Sequence, residues 1–243
     1  MTNNFTFRAD LSYMAHLFKA VARQHHLPLR PLFESYIPPD GLVVDVGAHA
    51  GQFTKLFARI APRGRVYAFE PGSYALSILR KVCFVHRLKN VLIVPLGLSD
   101  RETRATLQIP VKKSGSIGFG LSTLGADQSG RRSYREDVFL MTLDRFAQEN
   151  AFQRLDLIKA DIEGWELRML KGARVSIEKF GPVLVLEATN NMLIRAGDSH
   201  EKLMKFLSEM GYAVFSHSHT GQLTAATSDS TALFCVPRKK GLR

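Results

Sequence analysis

Cysteine and tryptophan are scarce in this 243-residue chain, which carries two Cys and one Trp. Cys83 and Cys235 each sit inside an apolar run, KVCFV and LFCV, so both are expected as buried thiols rather than as a disulfide. Neither gives a metal-ligand spacing. Long hydrophobic runs are missing too: no stretch is long and apolar enough to cross a bilayer. The opening MTNNFTFRAD is polar and has neither a signal-peptide nor an anchor pattern, so a cytoplasmic location is the expectation. Acidic residues are in deficit, with 22 Asp and Glu against 33 Lys and Arg for a net charge of +11. Such an excess favours an anionic partner: nucleic acid, an acidic lipid surface or a phosphorylated carrier. Along the chain, however, the cations are spread rather than striped, apart from Arg131, Arg132 and the tail PRKKGLR. A solvated basic surface is therefore the plainer reading, and oligomeric state is not legible.

What is present is ordinary for a globular protein, with 45% hydrophobic and 23% charged residues. The length suits one α/β domain with small additions. Residues 1–40 read as a helical extension, in which Leu11, Met14, Leu17, Phe18 and Val21 would make one apolar face of a helix over 11–25. Pro28, Pro31, Pro38 and Pro39 then break the chain, and PPDG launches the first strand. From about 41 to 243, apolar runs alternate with helical stretches, which predicts a parallel sheet with crossover helices. ATLQIPV and DVFLMTL flank a Gly-, Ser- and Arg-rich segment, about 112–136, that reads as a long loop, either functional or a disordered surface excursion. The last two strands, YAVFSHS and TALFCVP, lack a helix between them and should form an antiparallel hairpin at the sheet edge. There is no internal repeat.

Three stretches carry chemistry. VVDVGAHAG ends a strand in Asp45 and continues through Gly47, Ala48, His49, Ala50 and Gly51 into a helix, a turn of small residues that lets backbone approach a ligand. A dinucleotide-binding loop has no acid two residues before its first glycine, whereas Asp45 could accept from the ammonium of an amino-acid-like ligand. VYAFEP ends the next strand in Glu70, followed by Pro71, about 20 residues on, where an acid can bind both ribose hydroxyls. LDLIKADIEGWE gathers Lys159, Asp161, Glu163 and Trp165 beyond a fourth strand, and Glu187 ends a fifth. Ligands of open α/β sheets bind beyond these carboxyl ends.

In combination and order, VVDVGAHAGQFT, VYAFEPGSYALSILR, NVLIVPLGLSD, FLMTLDRF, LDLIKADIEGWELRMLKGA and VLVLEAT resemble the FkbM-type methyltransferase family of class I S-adenosylmethionine-dependent enzymes, from about Val43 to Glu187. The resemblance implies a Rossmann-like, doubly wound, mostly parallel seven-stranded sheet. It also implies S-adenosylmethionine as cofactor, with Asp45, Gly47, His49 and Gly51 at its methionine end, Glu70 and Pro71 at the ribose, Leu98 and Ser99 near adenine, and Asp161 beside the sulfonium. His49 stands where the family usually has Asn or Gly.

A hydroxyl acceptor on a sugar, glycolipid or other small molecule, as the family suggests, must lose a proton to a base or a metal. Asp161, Glu163, Glu187, His49 and Lys159 are the candidate bases. Magnesium held by Asp161, Glu163 and Glu187 is less favoured, because Asp-x-Glu spacing would send two carboxylates to opposite sides of a strand; no residue is assigned to a metal. His217 and His219 share a strand face but no further ligand. Two rivals stand beside this reading. A nucleic-acid methyltransferase lacks its usual Pro-Pro after the strand-four acid and a nearby nucleophilic cysteine, and a non-catalytic cofactor-binding assembly domain is the other.

Overall fold

The computed structural model describes residues 3–110, 123–124 and 133–239. Most of the expected 112–136 loop, Arg131, Arg132 and the end of the PRKKGLR tail lie outside those residues. Within them an α/β architecture is built on an eight-stranded sheet and a smaller four-stranded one.

The main sheet starts with β1 (Leu42–Val46), β2 (Arg65–Phe69) and β3 (Val91–Val94), joined by α3 (Gln52–Ile60) and α4 (Ser73–Val85). It continues with β8 (Leu157–Ala160) and β9 (Val183–Glu187) and ends with β10 (Tyr212–His217), β11 (Leu223–Ala225) and β12 (Ala232–Pro237). The strand order is β11-β10-β12-β9-β8-β1-β2-β3. β1 pairs in parallel with both β2 and β8, so the connections leave it in opposite directions and open a crevice at its carboxyl end. β1 reads LVVDV and is buried from Val43 onward, the near-continuous apolar pattern of a strand covered on both faces. Seven strands are as expected, and the eighth, three-residue β11, pairs with β10 at the edge. The terminal hairpin forms with its second strand innermost: β12 lies antiparallel between β10 and β9. ALFCVP is buried along four central positions whereas β10 is half-exposed beyond Tyr212, so the more apolar strand takes the interior.

The second sheet runs β4-β7-β5-β6, from β4 (Gly97–Leu98), β5 (Thr103–Pro110), β6 (Thr123–Leu124) and β7 (Ser133–Met141). ATLQIPV and DVFLMTL thus pair with each other, from Thr103 opposite Leu140 to Pro110 opposite Ser133. Part of the segment expected as loop is strand. Leu107, Ile109, Val138 and Leu140 form this sheet's own small core, against which Trp165 packs. Trp165 is therefore a packing residue, with Arg168 stacked 4.6 Å above its ring.

On one face of the main sheet lie α5 (Leu143–Glu149), α6 (Glu166–Lys171), α7 (Arg174–Phe180), α8 (Asn190–Arg195) and α9 (His200–Glu209). α5 opens with the Thr142 hydroxyl accepting from Arg145 N, a side-chain N-cap. On the other face lie α2 (Arg30–Glu34) and α3, and against α4 packs α1 (Asn3–Ala22). α1 buries Ala20 and half-buries Tyr13, Leu17 and Val21 against Ile78 and Val82. Met14 and Phe18, expected on the apolar face, are 57% and 74% exposed; the seam with α4 is narrow, and their ridge lies outside it. The end of α1 is tied down by side chains. Lys55 Nζ donates to Ala20 O at 2.6 Å and Arg23 O at 2.8 Å, Gln52 Nε2 donates to Ala20 O, and His86 Nε2 meets Val21 O. A cation is favoured at such carbonyls, although burial and then Arg59 lower the Lys55 ammonium to about 8.

Cys83 and Cys235 are free thiols, half-buried and buried, and burial, with a lesser push from Asp45, raises Cys83 to about 11. Among the described residues no helix is long and apolar enough to cross a membrane.

Candidate active site

A pocket of about 330 Å³ opens at the carboxyl ends of β1, β2, β8 and β9, where the strand order reverses. Gly47, His49, Glu70, Pro71, Lys159, Asp161, Glu163 and Glu187 all line it, so four stretches separated in sequence converge.

The turn after β1 is fixed by backbone. Gly47 adopts φ +70°, and a Cβ there would lie 2.1 Å from the Asp161 carbonyl oxygen, which brings the β1 and β8 turns into contact only because the residue is glycine. His49 also has a positive φ, 46°, and its N–H donates to Glu70 Oε2 at 2.9 Å. Glu70 Oε1 accepts from Gly72 N at 2.8 Å. The Glu70 carboxyl is thus aimed across the pocket floor by two amides. Burial nevertheless outweighs those bonds and pushes it up to about 7.

Asp45 is placed differently from the expectation. It is fully buried beneath the turn and absent from the pocket wall. Oδ2 accepts from Thr54 Oγ1 at 2.6 Å, and Oδ1 stands 3.5 Å from Lys159 Nζ. Its charge partner is Lys159. That ammonium donates to Gly47 O at 3.2 Å and lies 3.8 Å from Asp161 Oδ2. Burial would lower Lys159, but Asp45, Asp161 and Glu187 together hold it above its ordinary value. A lysine held so stays protonated and cannot serve as a base at neutral pH; it pins the turn and balances the acids.

Gly51, Leu98 and Ser99 also lie off the pocket wall. Gly51 faces α4, a Cβ there meeting Leu79 Cδ1 at 2.7 Å. Leu98 and Ser99 are buried at the start of the second sheet, Ser99 N donating to Met141 O. β5 takes their place, sending Leu107 and Ile109 to the pocket beside Gly72.

Beyond β8, Asp161, Ile162, Glu163 and Gly164 form a turn, with Glu163 at φ 54° and Gly164 at φ 102°. Strand alternation does not apply there, and Asp161 and Glu163 open to the same cavity. Among the described residues, no group of three or more His, Cys, Asp or Glu is placed to hold a metal ion. Burial, then Asp161 and Glu187, raise Glu163 to about 7, against a lowering pull from Arg195. Glu187 stands on the rim, reachable by solvent yet crowded by protein, and desolvation followed by Asp161 raises it. His219 lies past the end of β10, so it does not share a strand with His217.

Two contributors escape a sequence reading. Glu166 is fully buried, and its Oε1 accepts from Ile162 N at 3.1 Å and Gly164 N at 3.2 Å, holding the turn that presents Glu163. An acid in the first turn of a helix is a visible capping signal, but its target is not. His26, from the extension, lines the pocket stacked on Phe53 with ring centroids 3.9 Å apart. Burial, then Lys159, lowers it to about 4. No local pattern marks that histidine.

Comparison with known proteins agrees with this geometry. The methyltransferase FkbM domain model matches residues 45–214. The chain is similar to methyltransferase sdnD of Sordaria araneosa, 26% identical over 56% of this chain and 61% of that protein. It is likewise similar to 2-O-methyltransferase NoeI of Sinorhizobium fredii, 25% identical over 58% of this chain and 60% of that one. The match thus spans about 60% of the length of these two curated relatives. Among solved structures, the methyltransferase FkbM of Methylobacillus flagellatus KT superposes with TM-score 0.52 at 17% identity, covering 82% of this chain and 44% of that one. The pocket turns after β1, β2, β8 and β9 all fall within the matched residues, and the chain belongs to the FkbM methyltransferase domain family.

Proposed function

We propose that this chain transfers a methyl group from S-adenosylmethionine to a hydroxyl of a sugar, glycolipid or other small-molecule acceptor. The observation that carries this reading is the opening of Glu70 and of the Asp161, Glu163 and Glu187 cluster onto one cavity at the strand-order reversal. The residues present fit the cofactor. Each Glu70 oxygen accepts one amide N–H and keeps a lone pair for a ribose hydroxyl, and the Gly47–Ala50 backbone offers a small-residue cradle for the amino-acid end. Bound there, the cofactor would supply an electrophilic methyl on a sulfonium leaving group.

The chain's own residues have two tasks, positioning and proton removal. Glu163, raised to about 7, is partly ionised at neutral pH, the range in which a general base works best. Asp161 and Glu187 keep its proton affinity high, and Lys159 keeps the acids from repelling the turn apart. The 2-O-methyltransferase name of NoeI supports oxygen as the atom methylated. Calorimetric titration with S-adenosylmethionine, followed by incubation with labelled cofactor and a host extract, tests the proposal. Micromolar binding with a labelled, base-stable ether product is expected; failure to bind the cofactor would falsify the reading.

A further inference from the structure

The acid deficit of the sequence is concentrated in space. No Asp or Glu occurs in residues 11–33, 46–69 or 71–99, the segments that supply most of α1 together with α3 and α4. These helices touch: Lys55 of α3 reaches the end of α1, Arg59 Nη2 lies 3.4 Å from His86 Nδ1, and Lys81 Nζ donates to Tyr13 OH. At the amino-terminal ends of β2 and β3, a cleft of about 630 Å³ is lined by Arg59, Arg63, Arg65, Arg87 and Lys89. Beside it stand bare apolar side chains. Phe84 and Val85, at the end of α4 and just before Arg87, are 84% and 54% exposed.

We propose that this cleft and the adjoining end of α4 dock on an anionic membrane surface, the cations meeting acidic phospholipid headgroups while Phe84 and Val85 enter the headgroup boundary. Cations attract acidic lipid within a Debye length, and exposed aromatic groups among them add apolar burial that electrostatics alone does not give. Single-stranded nucleic acid is the less suited polyanion, because it needs aromatic platforms inside a basic groove. The cleft is lined by no aromatic residue, and the exposed phenyls stand on helix surfaces.

Flotation of the full chain with phosphatidylcholine vesicles, with and without about 30% phosphatidylserine, tests this. Binding is expected only to the phosphatidylserine vesicles, and it should weaken as salt rises. Phe84→Ser with Val85→Ser, and separately Arg63→Glu with Lys89→Glu, should each weaken binding roughly tenfold or more. All four positions are exposed, so the melting temperature and cofactor binding should not change. The proposal is overturned if both vesicle types bind alike or if both double variants bind fully. It also fails if single-stranded RNA binds more tightly than the vesicles, or if sedimentation shows a dimer that the Phe84 and Val85 changes dissociate.

Discussion

Lys159 and Asp45 are a buried pair whose value lies in being complete. Their side chains are 3% and 0% exposed, so removing one partner strands the other charge away from water. Lys159→Met should destabilise the fold by about 3–5 kcal/mol, read from urea unfolding. The double change with Asp45→Leu should recover much of that loss, because an apolar pair buries no charge. Glu163 tests the chemistry instead of the stability. Its Gln variant keeps the shape of the turn but cannot take a proton, and kcat should fall about 100-fold or more with cofactor affinity unchanged. In the wild-type protein kcat/KM should rise with pH through about 7 and flatten above it; a profile flat from pH 5 to 9 would remove Glu163 from the role of base.

At the level of elements, the joint between α1 and α3 is where the extension acts on the pocket. The segment that Lys55 and Gln52 hold leads directly into His26, and Gln52, Phe53 and His26 all face the cavity. Lys55→Met keeps the buried stem but leaves the Ala20 and Arg23 carbonyls without their donor, at about 2–3 kcal/mol for the joint. Local opening should show first, as faster proteolysis of the amino-terminal segment with the sheet still folded. His26→Ala should lower stability by about 1 kcal/mol through loss of the Phe53 stack and reduce methyl transfer by more than that loss explains. The helix itself was legible from 3.6-residue spacing, but its buried face was not. Met14 and Phe18 fit the period as well as Leu17 does, and only the position of α4 decides which ridge is covered.

For the whole molecule, the candidate site imposes a pH signature on stability. Glu70 and Glu166 are both held at about 7 against an ordinary 4.5, so the folded state binds protons that the unfolded chain releases. Their contribution is fully present below about 4.5 and is lost as pH rises through about 7, on the order of 3 kcal/mol for each carboxyl. His26, lowered to about 4, works the other way: its contribution is present above 6.5 and is lost as pH falls toward 4. The clean comparison is therefore wild type against Glu166→Gln, which keeps an acceptor for Ile162 N and Gly164 N. Melting temperatures should favour the variant above pH 7 and converge toward pH 4.5; parallel curves would contradict the assignment.

The sequence by itself determined the order of strands and crossover helices, the two turns that begin the pocket, and the acids gathered beyond β8 and β9, because those features are written in local periodicity and in residues next to a strand end. The paired strands of the second sheet were legible as runs but not as a sheet, since pairing β5 with β7 depends on contacts about 30 residues apart. Only the tertiary structure decided which residues of VVDVGAHAG face the cavity. Asp45 points beneath the turn to Lys159 and Gly51 toward α4, while Gly47 and His49 remain on the wall. Only it set Arg59, Arg63 and Arg65 around one cleft with Arg87 and Lys89, from two separate segments of the chain. The physical reason is the same in each case: a side chain's direction and its distant neighbours are set by how elements pack, and that packing is a property of the whole fold.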